Sequence, residues 1–143
     1  MTHSFWKNKK VFITGHTGFK GSWLVLILKS LGAQITGYAL DPISKPNFFD
    51  DLKLSKLLKK DFRKDINNFT TLKNAVNKSK PDIIFHMAAY NHVGDSFLHS
   101  SEAINSNAVA TANLLNSYND YELFVYMSTS ETYGKQNEIP FTE

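Results

Sequence analysis

The chain has 143 residues, 42% of them hydrophobic and 20% charged, and a formal net charge of +3. That length suits one domain with a core of its own, and the composition excludes a disordered or fibrous chain. Without cysteine there is no disulfide framework and no thiolate metal site.

The first stretch with a strand pattern is Lys10-Val11-Phe12-Ile13-Thr14, an apolar run stopped by Gly15. Residues 22–31 follow with Trp23, Leu24, Leu26, Ile27, Leu28 and Leu31, an apolar surface wide enough for a helix packed on a sheet, and Gly32 is placed to end it. The run from Trp23 to Leu28 stops at Lys29, too short to span a bilayer. No secretory pattern precedes it. The expectation is a cytoplasmic protein that is not bound to a membrane.

Residues 34–39 read as the second strand, which completes a βαβ unit with a right-handed crossover. Pro42 and Pro46 mark a loop, residues 48–58 a short irregular helix and residues 59–64 a third strand. Asn68 is placed to cap a helix over residues 69–78, with Leu72, Ala75 and Val76 facing inward. Residues 82–87 read as a continuous buried strand. In residues 101–118, Ile104, Ala108, Thr111, Leu115 and Tyr118 recur at spacings of 4, 3, 4 and 3, which predicts a helix face. Residues 123–127 are the fifth strand. Apolar strands alternating with helices mean an α/β fold, a doubly wound parallel sheet covered on both faces, with expected strand order 3-2-1-4-5.

Between the first strand and first helix lies Gly15-His16-Thr17-Gly18-Phe19-Lys20-Gly21, with the spacing G-x-x-G-x-x-G. Such a turn is tight, and its glycines let a pyrophosphate approach the backbone and the helix pack near the strand. Free N–H groups and the positive helix end then favour an anion. Gly15, Thr17, Gly18, Phe19, Lys20 and Gly21 are the candidate cradle for a dinucleotide. Asp41 lies 26 residues beyond Gly15, where a carboxylate can accept the ribose hydroxyls of NAD. A loop aspartate before Pro42 is the equally open alternative. No arginine directly follows it to meet a 2′-phosphate, so NAD is preferred and NADP is the alternative.

The stretch Thr14-Gly15-His16-Thr17-Gly18-Phe19-Lys20-Gly21-Ser22-Trp23-Leu24 resembles the extended short-chain dehydrogenase/reductases, the NAD-dependent epimerase/dehydratase family. Together with Gly37-Tyr38-Ala39-Leu40-Asp41-Pro42 it is most similar to the CDP-glucose type of 4,6-dehydratase. The later segments Asn91-His92-Val93, Ser96-Phe97, Ser128-Thr129-Ser130-Glu131-Thr132-Tyr133-Gly134 and Gln136-Asn137-Glu138-Ile139-Pro140 are similar to the GDP-mannose type. Within that pattern Asp65 and Ile66 correspond to the pair that contacts the adenine. Ala88 and Ala89 close the H-x-A-A end of the fourth strand, where small side chains let the cofactor lie close. Asn107 sits in N-x-x-x-T-x-x-L-L and is read as structural, with Ala110 where glycine is common.

What the resemblance implies is an internal redox reaction on a nucleotide-diphosphate hexose. Hydride leaves C4, the new ketone acidifies the C5 proton, a carboxylate removes it as water leaves from C6, and hydride returns to C6. Thr129 is assigned to the 4-hydroxyl and Glu131 to the acid/base step of the elimination. Ser130 stands where some dehydratases carry an aspartate. Epimerases of the family generally lack an acid at the Glu131 position, so that carboxylate favours a dehydratase, and a 4-epimerase is the alternative. The expected Tyr-x-x-x-Lys base does not occur before Glu143, since Tyr121 and Tyr133 are followed at the fourth position by Val125 and Asn137. The chain is therefore read as an incomplete Rossmann domain over 1–143, truncated before the last strands and lacking the substrate domain, from an enzyme expected to be a homodimer.

Two rival readings come from charge and histidine. Lys53, Lys56, Lys59, Lys60, Arg63 and Lys64 form a basic run that also carries Asp61 and Asp65. It is read as a solvated face, without nucleic acid, and a polyanion-binding module is the alternative. His86, His92, His99 and Glu102 lack a recognised ligand spacing, so no metal is expected.

Overall fold

A computed structural model describes residues 3–134. A short helix α1 (His3–Trp6) leads into β1 (Lys10–Thr14), whose first residue is exposed and whose other four are buried. The chain continues through α2 (Phe19–Ser30), β2 (Gln34–Ala39), α3 (Phe48–Asp51) and a 3-10 turn, Leu54–Leu57, to β3 (Lys60–Arg63). Then come α4 (Phe69–Ser79), β4 (Ile83–His86), α5 (Val93–Leu98) and α6 (Ser100–Ile104). A π-helical turn, Asn105–Val109, joins α6 to α7 (Ala110–Leu115), and β5 (Leu123–Tyr126) precedes a last 3-10 turn, Ser130–Tyr133.

The five strands are parallel in the order β3-β2-β1-β4-β5, as the alternation of strands and helices requires. Successive strand residues point to opposite faces, which divides the core in two. Val11, Ile13, Ile35 and Ile83 meet Val25 and Leu28 of α2 and Phe49 of α3 on one face. Phe12, Tyr38 and Ile84 meet Leu72, Ala75 and Val76 of α4 and Ala110 and Leu114 of α7 on the other. Burying a side chain of this kind stabilises the fold by about 1.5–3 kcal/mol each, so both layers hold the sheet in place. At Asn68, Oδ1 accepts the Thr71 N–H at 3.1 Å and starts α4 as its sequence requires.

Two sequence expectations shift. Helix α2 begins at Phe19, three residues before the expected start, and its buried contacts are Gly21, Ser22, Val25 and Leu28. Trp23 and Ile27 are exposed, because the sheet covers only one side of a helix that is apolar nearly all round. In the α6–α7 helix the buried positions are Ala110, Leu114 and Ser117, one residue before Thr111, Leu115 and Tyr118 of the expected face. Ile104 is 61% exposed. The π turn accommodates one extra residue per turn, and the small Ala110 rather than a large apolar side chain meets the sheet.

Candidate functional site

Among the described residues, the loops that the sequence marks after β1, β2, β3, β4 and β5 lie at the carboxyl edge of the sheet. At Gly15, φ is 72°, a left-handed conformation suited to glycine, and a Cβ there would lie 2.7 Å from the Ala88 amide nitrogen. Its N–H donates to the Tyr38 carbonyl at 2.9 Å, which anchors the turn to β2. Gly21 faces the Gly15 carbonyl and the His16 backbone so closely that no side chain fits. Gly18 has φ −71°, which any residue adopts, so its backbone conformation does not call for glycine. No side chain caps the start of α2, and its first-turn N–H groups have no partner further back in the helix. Thr17 Oγ1 donates to the Leu40 carbonyl at 3.0 Å, while Phe19 and Lys20 are exposed on the first turn. Backbone donors, the positive helix end and an unobstructed glycine together suit an anionic diphosphate.

Below the loop, His16 is fully buried. Its Nε2 lies 2.9 Å from Asp61 Oδ1, and its ring meets Phe49 edge-on with centroids 5.3 Å apart. Gly37 gives the ring its space, since a Cβ there would stand 2.5 Å from a ring carbon. Asp61 also accepts from Arg63, Nε to Oδ1 at 2.7 Å and Nη2 to Oδ2 at 2.9 Å. Burial pushes the Asp61 carboxyl upward, but hydrogen bonds from His16 and Arg63 outweigh it and bring it down to about 2. Arg63 stacks on Phe49 at 4.7 Å and reaches Asp41 Oδ1 at 3.0 Å. The sequence reading singled out Asp41 and missed His16, Phe49, Asp61 and Arg63 as a group. The one available signal was the alternation Asp61-x-Arg63, which puts both side chains on one face of a strand.

On the other side of β1, a buried chain of hydrogen bonds has one consistent set of protons. Thr14 Oγ1 accepts the N–H groups of Met87 and Ala88, both at 3.1 Å, so its hydroxyl donates to His86 Nδ1 at 2.7 Å. Thr111 Oγ1 donates to the Asn107 carbonyl at 2.7 Å and therefore accepts from His86 Nε2 at 2.8 Å. Burial lowers the His86 pKa to about 4, and the ring is neutral. Asn107 braces the next turn, accepting the Tyr90 N–H at 2.7 Å and donating to the Tyr90 carbonyl at 3.0 Å, which is the structural role expected of it. His86, His99 and Glu102 are not brought together: His99 contacts Glu102 at 3.8 Å, and His86 is enclosed by threonines. Among the described residues no three potential ligands cluster.

Asp65 Oδ1 accepts both the backbone and side-chain N–H groups of Asn67, at 2.9 and 3.0 Å, closing the turn before α4. Ile66 is buried in the second core layer. Ala88 packs against the glycine turn and Ala89 is exposed. After β5, Thr129 is exposed and its carbonyl accepts from the Thr132 hydroxyl at 2.8 Å, in the turn containing Ser130 and Glu131. The segment 136–140 lies outside the described residues.

A parallel sheet with this order, a glycine turn after its first strand and hydroxyl-rich residues after its fifth defines a Rossmann-type α/β protein. The chain belongs to the family described as GDP-mannose 4,6 dehydratase, whose model it matches over residues 12–143. It is 44% identical to the CDP-glucose 4,6-dehydratase of Salmonella typhimurium over 112 residues, covering 78% of this chain and 31% of that protein. With the dTDP-D-glucose 4,6-dehydratase of Dictyostelium discoideum it shares 35% over 130 residues, covering 88% and 30%. In solved structures the fold recurs in the epimerase Mth375 of Methanothermobacter thermautotrophicus, with TM-score 0.78, 25% identity and coverage of 98% and 41%. It recurs too in the UDP-glucose-4-epimerase of Stenotrophomonas maltophila with bound NAD, at TM-score 0.75, 22% identity and coverage of 93% and 40%. The chain thus spans about a third of the length of the curated relatives it matches.

Proposed function

We propose that this chain supplies the NAD-binding part of a cytoplasmic, homodimeric nucleotide-sugar 4,6-dehydratase. The observation that carries the reading is the glycine turn: left-handed Gly15, Gly21 pressed on the loop backbone, and Gly18 open at an uncapped helix start. These residues would hold the diphosphate, with Thr17, Phe19 and Lys20 around it. Asp41 would take the adenosine ribose, Asp65 and Ile66 the adenine, and Ala88 and Ala89 the surface on which the cofactor lies. NAD, when bound, supplies a reversible hydride acceptor. Thr129 would hydrogen-bond the sugar 4-hydroxyl, Glu131 would exchange the C5 proton, and Ser130 would flank the departing C6 hydroxyl. CDP-glucose is the first substrate to try, given the 44% identity to a CDP-glucose 4,6-dehydratase, and GDP-mannose is the second.

Calorimetric titration of the purified protein tests the cofactor step. Saturable NAD binding is expected, and Gly18→Leu should weaken it by two orders of magnitude or more, on the order of 3 kcal/mol, by blocking approach to the turn. Folded protein that binds neither NAD nor NADP would refute the reading.

The reaction type is tested on the whole enzyme. Glu131→Gln should slow formation of the 4-keto-6-deoxy product by about 10²–10⁴-fold while sparing oxidation at C4. The second reading is a 4-epimerase, supported by the 29% identity to the UDP-glucose 4-epimerase of Caenorhabditis elegans over 93% of this chain. A 4-epimer without deoxy sugar among the products would select it.

A further inference from the structure

At the amino edge of the sheet, opposite the glycine turn, lysines meet around a pocket of about 110 Å³. Lys10 opens β1 and pairs with Gln34 at the start of β2, while Lys60 opens β3 beside Thr36. Alternation along the strands puts these four side chains on the face that carries Phe12, Tyr38 and Phe62, and so under α4. The last turn of α4 brings Lys78 and Ser79 to the pocket wall. Lys59 reaches in from the chain before β3, its Nζ donating to Gln34 Oε1 at 2.8 Å. The space equals about four water molecules at roughly 30 Å³ each, which is room for one phosphate group.

The wall is rich in donors that nothing in the fold uses. Thr36 is only 5% exposed, yet its hydroxyl has no hydrogen-bond partner among the described residues. A buried hydroxyl normally finds one. The Lys59 contact takes up the side-chain oxygen of Gln34 and leaves the amide N–H groups for a ligand. Lys10, Lys60 and Lys78 make no ion pair among the described residues, and no carboxylate among those residues lines the pocket. The acids of this edge belong to its other half: Asp82, before β4, accepts the Lys10 backbone N–H at 2.7 Å, and Glu122, before β5, holds Lys9. An edge strand such as β3 carries lysine against unwanted pairing, and the carboxyl end of α4 favours Lys78. Neither accounts for Lys10 on the central strand or for the unpartnered hydroxyl of Thr36.

We propose that this pocket is a second anion site, which takes the terminal phosphate of a di- or triphosphate chain. The ammonium groups supply the charge, and the Thr36 hydroxyl and Gln34 amide donate hydrogen bonds to the phosphate oxygens. Gly15 lies five residues beyond Lys10, roughly 16 Å along a strand. The pocket is therefore separate from the glycine turn, and it does not depend on the cofactor reading.

Tripolyphosphate and ATP are titrated into the purified protein by calorimetry at low ionic strength, with and without excess NAD, and thermal unfolding confirms that each variant is folded. Saturable binding of tripolyphosphate is expected, undisturbed by NAD. Lys10→Gln/Lys60→Gln should weaken it by about ten-fold, since each exposed ion pair contributes up to about five-fold. Lys29→Gln/Lys56→Gln removes the same charge outside the pocket and should change it by about two-fold or less. Thr36→Val changes no charge and should weaken it by about ten-fold, the scale of a hydrogen bond to a charged group. Equal affinities for the two probes would mark the phosphate chain alone as what is recognised, and tighter ATP binding would mark a nucleotide; either supports the site. Absence of saturable binding, displacement by NAD, equal losses in the two lysine pairs or an unaffected Thr36→Val would each overturn it. So would duplex DNA that binds far more tightly than tripolyphosphate and is insensitive to Lys10→Gln/Lys60→Gln, which would make the lysines part of a general basic face.

Discussion

Gly37→Ala is expected to lower the stability of the protein by about 1–3 kcal/mol, the usual cost of overpacking a filled core, and to weaken NAD binding about ten-fold or more, a further 1.4 kcal/mol. Backbone strain is not the cause. The added Cβ would sit 2.5–2.6 Å from three atoms of the His16 ring, which has nowhere to go. The ring is fully buried, held by Asp61 and packed on Phe49. Displacing it moves the residue directly after Gly15 and loosens the Asp61 carboxylate on which Arg63 is fixed. A second substitution, His16→Ala, removes the clashing ring, so the double variant should recover a large part of the thermal stability lost in Gly37→Ala. If the two losses simply add, the packing of His16 on Gly37 is not what makes Gly37 necessary.

His86 should make the protein acid-labile in a window set by one buried ring. Its pKa is 6.5 in an ordinary environment and is brought down to about 4 in the fold by burial. Between those values the unfolded chain takes up a proton that the folded chain refuses, so the unfolded state binds more protons and stability falls as the pH falls. The contribution is fully present above pH 6.5, declines from there to about pH 4 and is then exhausted. Its full size is on the order of 3 kcal/mol. Denaturant unfolding measured at intervals from pH 7.5 to 4 should show this slope. Asp61 acts in the same direction but lower, since its depressed pKa of about 2 costs stability only as the pH falls below the ordinary carboxylate range.

His86→Leu separates the pH effect from structural damage. It should flatten the slope between pH 6.5 and 4, and it should also lower stability at pH 7.5 by about 1–3 kcal/mol, because the Thr14 hydroxyl loses its acceptor. An unchanged slope in that variant would assign the acid lability to another group.

What the sequence determined by itself is the path of the chain. Apolar runs of strand length, the helix-terminating Gly32, the Asn68 cap and the glycines after the first strand are local signals, each acting within a few residues. With a parallel sheet and right-handed crossovers they leave few topologies, and the order 3-2-1-4-5 follows. The glycine turn was legible for the same reason, since tight turns and close backbone approach restrict the residue at the position itself.

Tertiary structure alone decided which side chains complete the site. His16 meets Asp61 across 45 residues, Arg63 meets Asp41 across 22, and Thr14 meets His86 across 72. Each meeting depends on strand register, on which neighbour lies beside β1, and on a space left by Gly37, none of which is encoded in local periodicity. The face of the α6–α7 helix was decided in the same way. The recurrence of Ile104, Ala108, Thr111, Leu115 and Tyr118 favoured one face, whereas the sheet selected the small Ala110 and kept Asn107 for the backbone of Tyr90. Close packing rewards the residue that fits the facing surface over the one with the greater hydrophobicity.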